Sequence, residues 1–189
     1  CSNYTKQINN HLAQASNKKI KIISIVEPIY DIAEVKILFS RYPKLLEYWM
    51  SCVPENNKGK WCCACATCSE IFLYAAAVGG DPLKIGLNNN LFSLKAKEFY
   101  PIFAKKISQA YGRPAEVKES QLLAFLMAYR RGWRGPLVSL FKKRFLKTAL
   151  NQEKASRKKF FGVHGATTMP TNIKNKVFEI YHKELKKLS

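Results

Sequence analysis

Acidic residues are scarce in this chain: 13 Asp and Glu stand against 32 Lys and Arg, for a net charge of +19. A field of that sign favours polyanions such as RNA, anionic lipid or phosphorylated substrates. Long apolar runs are absent too. No stretch approaches the roughly 18 residues of a membrane span, and the first 20 residues are polar and Asn-rich. Neither a transmembrane segment nor a secretory signal is therefore expected, and a cytoplasmic location follows as an expectation. Histidine is rare, with three in all and none near the cysteines in sequence, which argues against a Cys–His nucleophile. There is no internal repeat.

What is present can fill a core: 47% of residues are hydrophobic and 12% aromatic, so the chain is not a disordered one. It opens at Cys1 rather than Met, inside a helical pattern, and reads as a fragment or processed piece. The charge is uneven. Residues 105–189 carry 20 Lys and Arg against 5 Asp and Glu, while residues 1–104 carry 12 against 8. This division suggests a first unit over 1–112 and a basic helical extension over 113–189. A solvated lysine-rich surface is the plain alternative to a polyanion site.

Residues 3–16 read as the end of a helix. Ile20–Val26 is β-rich and predicts a largely buried strand. Asp31 and Glu34 form a capping-box-like start, followed by Ile32, Val35, Leu38 and Phe39 at helical spacing. Pro43 ends that helix and opens a short aromatic one. Thr67 and Glu70 form a second capping box before the apolar run Ile71–Val78, which Gly79-Gly80 stops. Further helices are predicted at about 94–111, 119–130, 136–159 and 172–187, with a tight connection over 130–135 and a loop over 162–170. The coarse fold expected is mostly α with one β-strand, which needs partners outside this sequence.

Cys52, Cys62, Cys65 and Cys68 carry the clearest chemistry. A C-x2-C-x2-C run can point every third thiol at one centre, and Cys52 can supply the fourth ligand of a tetrahedral structural zinc. Cys68, in the first turn of a helix, gains from the dipole as a thiolate. Cys63 is out of phase and reads as a small buried residue. An iron–sulfur cluster suits the same thiolates. A disulfide set would be strained at these spacings, and His164 is an alternative ligand.

The segment E-P-I-Y-D-I-A-E-V-K-I-L-F-S-R-Y-P, then Ser51-Cys52, then Lys60-Trp61-Cys62-Cys63-Ala64-Cys65-Ala66-Thr67-Cys68 before Ile71-Phe72-Leu73-Tyr74, resembles the C-terminal half of one family. These are the UDP-N-acetylmuramoyl-L-alanyl-L-glutamate epimerases of peptidoglycan synthesis, within the PP-loop (HUP-type) ATP pyrophosphatases, and the resemblance implies a mostly α fold whose one β-strand is left from an α/β domain of that type. Their relatives, the deazaguanine nitrile synthases, carry a similar four-Cys zinc pattern. The resemblance spans about residues 20–95. It implies a parent enzyme that uses ATP and Mg to activate a carboxylate of the terminal glutamate, then epimerises it, with a UDP-linked muramoyl peptide as substrate. Gly112-Arg113-Pro114-Ala115-Glu116-Val117 is similar to a family segment with Lys-Pro-aromatic-Glu, which marks Arg113 and Glu116 as substrate-binding candidates, although Ala115 and Val117 depart from the pattern. The S-G-G-x-D-S phosphate loop of PP-loop enzymes does not occur in this sequence. Gly79-Gly80-Asp81-Pro82 only imitates it, following a helix and lacking the serines.

In the basic part, Leu137, Phe141, Phe145 and Ala149 form an apolar stripe, with Lys142, Lys143, Arg144 and Lys147 mainly elsewhere around the helix. A packed helix with a solvated face is the plain reading, and an anionic membrane surface the sharper one. Arg130, Arg131 and Arg134 around Trp133 offer an RNA-type patch, against a simple helix–helix connection.

Overall fold

A helix with apolar side chains on every face is stable only inside a core. The segment Ala66–Val78 is such a helix: its residues from Cys68 to Ala77 are buried except Glu70, which is half-buried. The computed structural model describes residues 2–16, 20–52, 61–88, 90–104 and 114–186. Besides that helix, α3, the chain forms α1 (Ser2–Ala15), α2 (Asp31–Arg41), α4 (Pro114–Arg130), α5 (Pro136–Phe160) and α6 (Thr171–Lys186). Short 3₁₀ turns lie at Pro43–Tyr48, Pro82–Ile85 and Leu94–Phe99. Helix α3 packs between α2 and α4, α5 lies on α4, and α6 touches α2.

Aromatic rings fill the space between these helices. Phe72 meets Phe92 edge-on at 5.1 Å, Phe92 lies 5.5 Å from Phe125, and Phe125 stacks on Phe141 at 5.5 Å. Such pairs add about 0.5–1.5 kcal/mol each beyond the area they bury. Leu137, Phe141 and Ala149 are buried and Phe145 packs at 5.7 Å on Phe103, so the apolar stripe of α5 belongs to the core. A smaller cluster of Ile29, Ala33 and Ile37 joins α2 to Phe161, Tyr181 and Leu185.

The expected strand is not there. Among the described residues no strand occurs, and residues 20–24 run irregularly with Ile20, Ile22 and Ile25 exposed. A β-prone segment needs a neighbouring ladder. Here the Asn9 side-chain amide, at 2.8 Å in both directions, bonds the Ile22 backbone instead. The helix expected over 94–111 is also corrected: a 3₁₀ turn at Leu94–Phe99 precedes Pro101, whose ring disfavours an α conformation at Tyr100. Residues 105–113 lie outside the described set, as does the loop 53–60. The helix expected from about 119 begins instead at Pro114, a favoured first helical residue.

Gly79 closes α3 at φ 88°, and a Cβ on Gly80 would collide with the Phe39 ring. Asp81 then caps the next turn, accepting from the Leu83 N–H at 3.0 Å. The Gly-Gly-Asp-Pro segment is thus a helix stop and turn start. The 130–135 connection is packed as well. Trp133 lies edge-on to Phe72 and Phe92, Arg131 Nε donates to Ala77 O at 2.8 Å, and Arg130 pairs with Glu153 at 2.6 Å.

Candidate metal centre and acidic cavity

The four cysteines converge. All sulfur atoms of Cys52, Cys62, Cys65 and Cys68 lie within 4.8 Å of one another. Cys52 and Cys65 are 3.8 Å apart, and Cys62 and Cys68 are 3.7 Å apart. A tetrahedron with metal–sulfur bonds of about 2.3 Å has edges of about 3.8 Å, so these donors fit a single ion. They are too far apart for disulfides, and all are free thiols. The four can therefore hold a metal ion.

Local geometry explains the convergence. Cys63 takes a left-handed φ of 54°, rare for a residue with a Cβ, and so turns the chain sharply between Cys62 and Cys65. Its own thiol points away, 3.3 Å from Asn88 Oδ1, as a buried residue outside the cluster. Trp61 pins the segment entering the knuckle by donating Nε1–H to Ile85 O at 2.5 Å. Cys65 is the N-cap of α3: its sulfur accepts from the Cys68 N–H at 3.4 Å. This replaces the expected Thr67 cap, and Thr67 sits one residue inside the helix. Burial pushes the Cys68 thiol up, against the expectation that the helix dipole would lower it. Cys52 is likewise raised by burial, whereas Cys62 is lowered, because the Ala64 N–H and neighbouring thiols outweigh its burial. His164 is not among the converging donors.

A second feature adjoins the same helix, from Glu70 to Tyr74. A cavity of about 640 Å³ is lined by Glu27, Asp31, Glu34, Glu70 and Glu116, five of the 13 acidic residues in the chain. Glu70 and Tyr74 reach it from α3, Asp31 and Glu34 from α2, and Glu116 from α4. Tyr30 donates to Glu116 Oε1 at 3.1 Å, and its ring holds His164 edge-on at 4.6 Å. The Tyr74 hydroxyl is buried, bonded to Glu70 Oε1 at 3.0 Å and Ser120 Oγ at 2.8 Å. Burial, then the charge of Asp31, lifts the Glu34 carboxyl to about 7. Burial and Asp31 also lift Glu70 to about 7, although the Tyr74 hydroxyl opposes this. Asp31 is raised by burial as well.

Glu27 behaves oppositely. Burial tends to raise it, but hydrogen bonds from the hydroxyls and backbone N–H groups of Thr168 and Thr167 prevail and hold it at about 2. This four-bond clasp fixes the loop before α6 against the turn before α2, closing one side of the cavity.

Of the residues singled out from sequence, the four cysteines meet and Glu116 stands in the cavity wall, while Arg113 lies outside the described residues. The spacing places Asp31, Glu34 and Glu70 in capping boxes, yet Tyr30 and Cys65 occupy the cap positions and the three acids line the cavity. The available signal was Glu70 itself, one acid in the otherwise apolar run Ile71–Val78 and its approach. Among the described residues no helix is long and apolar enough to cross a membrane. No protein-family model, curated protein or solved structure matches this chain.

Proposed function

We propose that this chain is the zinc-bearing, mostly helical portion of a PP-loop-type ATP-dependent enzyme acting on the terminal glutamate of UDP-N-acetylmuramoyl-L-alanyl-L-glutamate. One observation carries this reading. Helix α3 closes the four-cysteine site, whose spacing resembles that family, and carries Glu70 and Tyr74 into the cavity that Glu116 also lines. Zinc is the ion best suited to a closed shell of four thiolates at these separations, and an iron cube would hold its thiolates farther apart. A closed shell leaves no position for water, so the metal braces the fold.

The chemistry of the cavity supports a role at the peptide end of the substrate. Five carboxyl groups would repel a diphosphate, so the nucleotide moiety belongs outside it. Carboxyls raised to about 7 by burial keep a substantial protonated fraction near neutral pH and can donate hydrogen bonds to a carboxylate, as Glu34 does in this reading. A group poised near pH 7 is also suited to proton transfer, which epimerisation at a carbon requires. The nucleotide-activating step is not assigned to these residues, which lack the S-G-G-x-D-S loop.

Calorimetric titration separates the outcomes. UDP-N-acetylmuramoyl-L-alanyl-L-glutamate binds the 189-residue chain, and Glu116→Gln weakens it about tenfold or more, the loss expected for a charged hydrogen bond. UDP-N-acetylmuramic acid, lacking the peptide, binds poorly. Equal affinity for both ligands, or indifference to Glu116→Gln, would reject the assignment.

A further inference from the structure

Helix α5 is 25 residues long, and its buried face is set by Leu137, Val138, Phe141, Ala149, Ser156 and Phe160. At about 100° per residue, Lys143, Lys147, Lys154 and Lys158 fall within an arc of about 60° directly opposite that face. All four are exposed. They span 15 residues, or about 22 Å at 1.5 Å per residue. The single acid of the helix, Glu153, lies off this line and is neutralised by Arg130 at 2.6 Å and Arg157 at 2.9 Å. None of the four lysines makes an ion pair among the described residues. The remaining charges nearby are occupied: Lys159 pairs with Glu119 at 2.6 Å, and Arg144 lies over the Phe145 ring.

We infer that this lysine row is a docking surface for the phosphodiester backbone of RNA. The row is independent of the cavity and of the substrate assigned to it. Four unopposed ammonium groups in a straight line match a strand of phosphates, with exposed Asn151 beside them as a hydrogen-bonding partner for phosphate or sugar. A lipid surface rewards a different design. An interfacial helix inserts an apolar face, and the apolar face of α5 is already spent on α4 and the aromatic core. The Trp133 segment, for which a helix–helix connection is the alternative to an RNA-type patch, is engaged in packing: Trp133 lies edge-on to Phe72 and Phe92, Arg131 bonds Ala77 O and Arg130 pairs with Glu153.

The row predicts its own salt dependence. Four contacts to a single strand give a slope of log K against log salt of about −3, or about a fifty-fold loss of affinity between 50 and 200 mM salt. The test measures binding of a labelled poly(U) oligonucleotide by anisotropy across that salt range, using the full chain with its metal. The variant Lys143→Gln/Lys147→Gln/Lys154→Gln/Lys158→Gln flattens the slope by about 3, and each single change by nearly 1. A charge-matched control, Lys44→Gln/Lys84→Gln/Lys176→Gln/Lys183→Gln, keeps most of the slope. Circular dichroism should show both variants folded, since all eight positions are exposed. An equal effect of the two variants would overturn the inference in favour of diffuse charge. So would a row required for phosphatidylserine vesicles but not for poly(U).

Discussion

Serine at position 65 isolates the metal. Cys65 is both a donor in the four-thiol cluster and the N-cap of α3. Serine is among the best N-caps, so Cys65→Ser keeps the helix start while removing one thiolate. What remains is the ligand's linkage to folding. With free zinc a thousandfold above its dissociation constant, the native state gains about 4 kcal/mol. For a chain of this size each kcal/mol moves the melting temperature by about 2–4 °C, so the expected span is about 8–16 °C. Thermal melts followed by circular dichroism, with zinc and with excess chelator, read it directly. Chelation lowers the wild-type midpoint by that span, whereas Cys65→Ser is insensitive to chelator and melts near the chelated wild type. Helical signal persists below the transition in every case, because α3 is held by packing on α2 and α4 as well as by its first turn. Cys63→Ser, off the cluster, retains the zinc response. If Cys65→Ser in zinc melts with the wild type, or chelator shifts both proteins alike, the brace does not exist. Elemental analysis should find one zinc per chain, and iron in its place would refute the identity of the ion.

Two carboxylates predict opposite pH behaviour. Glu27 titrates at about 2 in the folded chain against an ordinary 4.5, so its stabilisation is complete above pH 4.5 and disappears as pH falls towards 2. Glu27→Gln should cost about 1–3 kcal/mol at pH 7 in urea denaturation, with the gap to wild type closing over that acid window; a constant gap would contradict the clasp. Glu34 titrates at about 7, so its ionisation opposes folding increasingly from pH 4.5 to 7. Glu34→Gln should therefore be neutral below pH 4.5 and stabilising by about 3 kcal/mol at pH 8, and a stabilisation independent of pH would count against a raised carboxyl.

The parts of the fold legible in sequence are those that obey local rules. The C-x2-C-x2-C spacing, the Gly79-Gly80 stop and the helical periodicity of residues 31–42, 136–159 and 172–187 each follow from chemistry within a few residues. The strand at 20–26 misled because β-propensity measures fit to a neighbouring strand, and none lies beside it among the described residues. The cavity was illegible for a related reason. Asp31-x-x-Glu34 and Thr67-x-x-Glu70 have the spacing of capping boxes, and only the packing of α2 on α3 turns those same acids towards a common space. Burial of Cys68 also outweighs the helix dipole, a contest between a local and a tertiary effect that spacing cannot weigh.

The acidic cavity and the lysine row of α5 are linked by the distribution of a small number of acids. Scattered over the surface, 13 carboxylates would mute the 32 cationic side chains evenly and spread the net +19 over every face. Five line the cavity instead, where Asp31 raises Glu34 and Glu70, so that part of the negative charge is extinguished by protonation near neutral pH. Others are committed to single partners, as Glu119 is to Lys159 and Glu184 to Arg41. Few then remain to oppose the outer face of α5. Gathering acids in one concavity thus produces a proton-rich pocket on one side of α3 and leaves a bare row of ammonium groups on α5. The first turn of α3, where the four cysteines converge, helps to set where the pocket forms, because Cys68, Glu70 and Tyr74 are fixed on one helix.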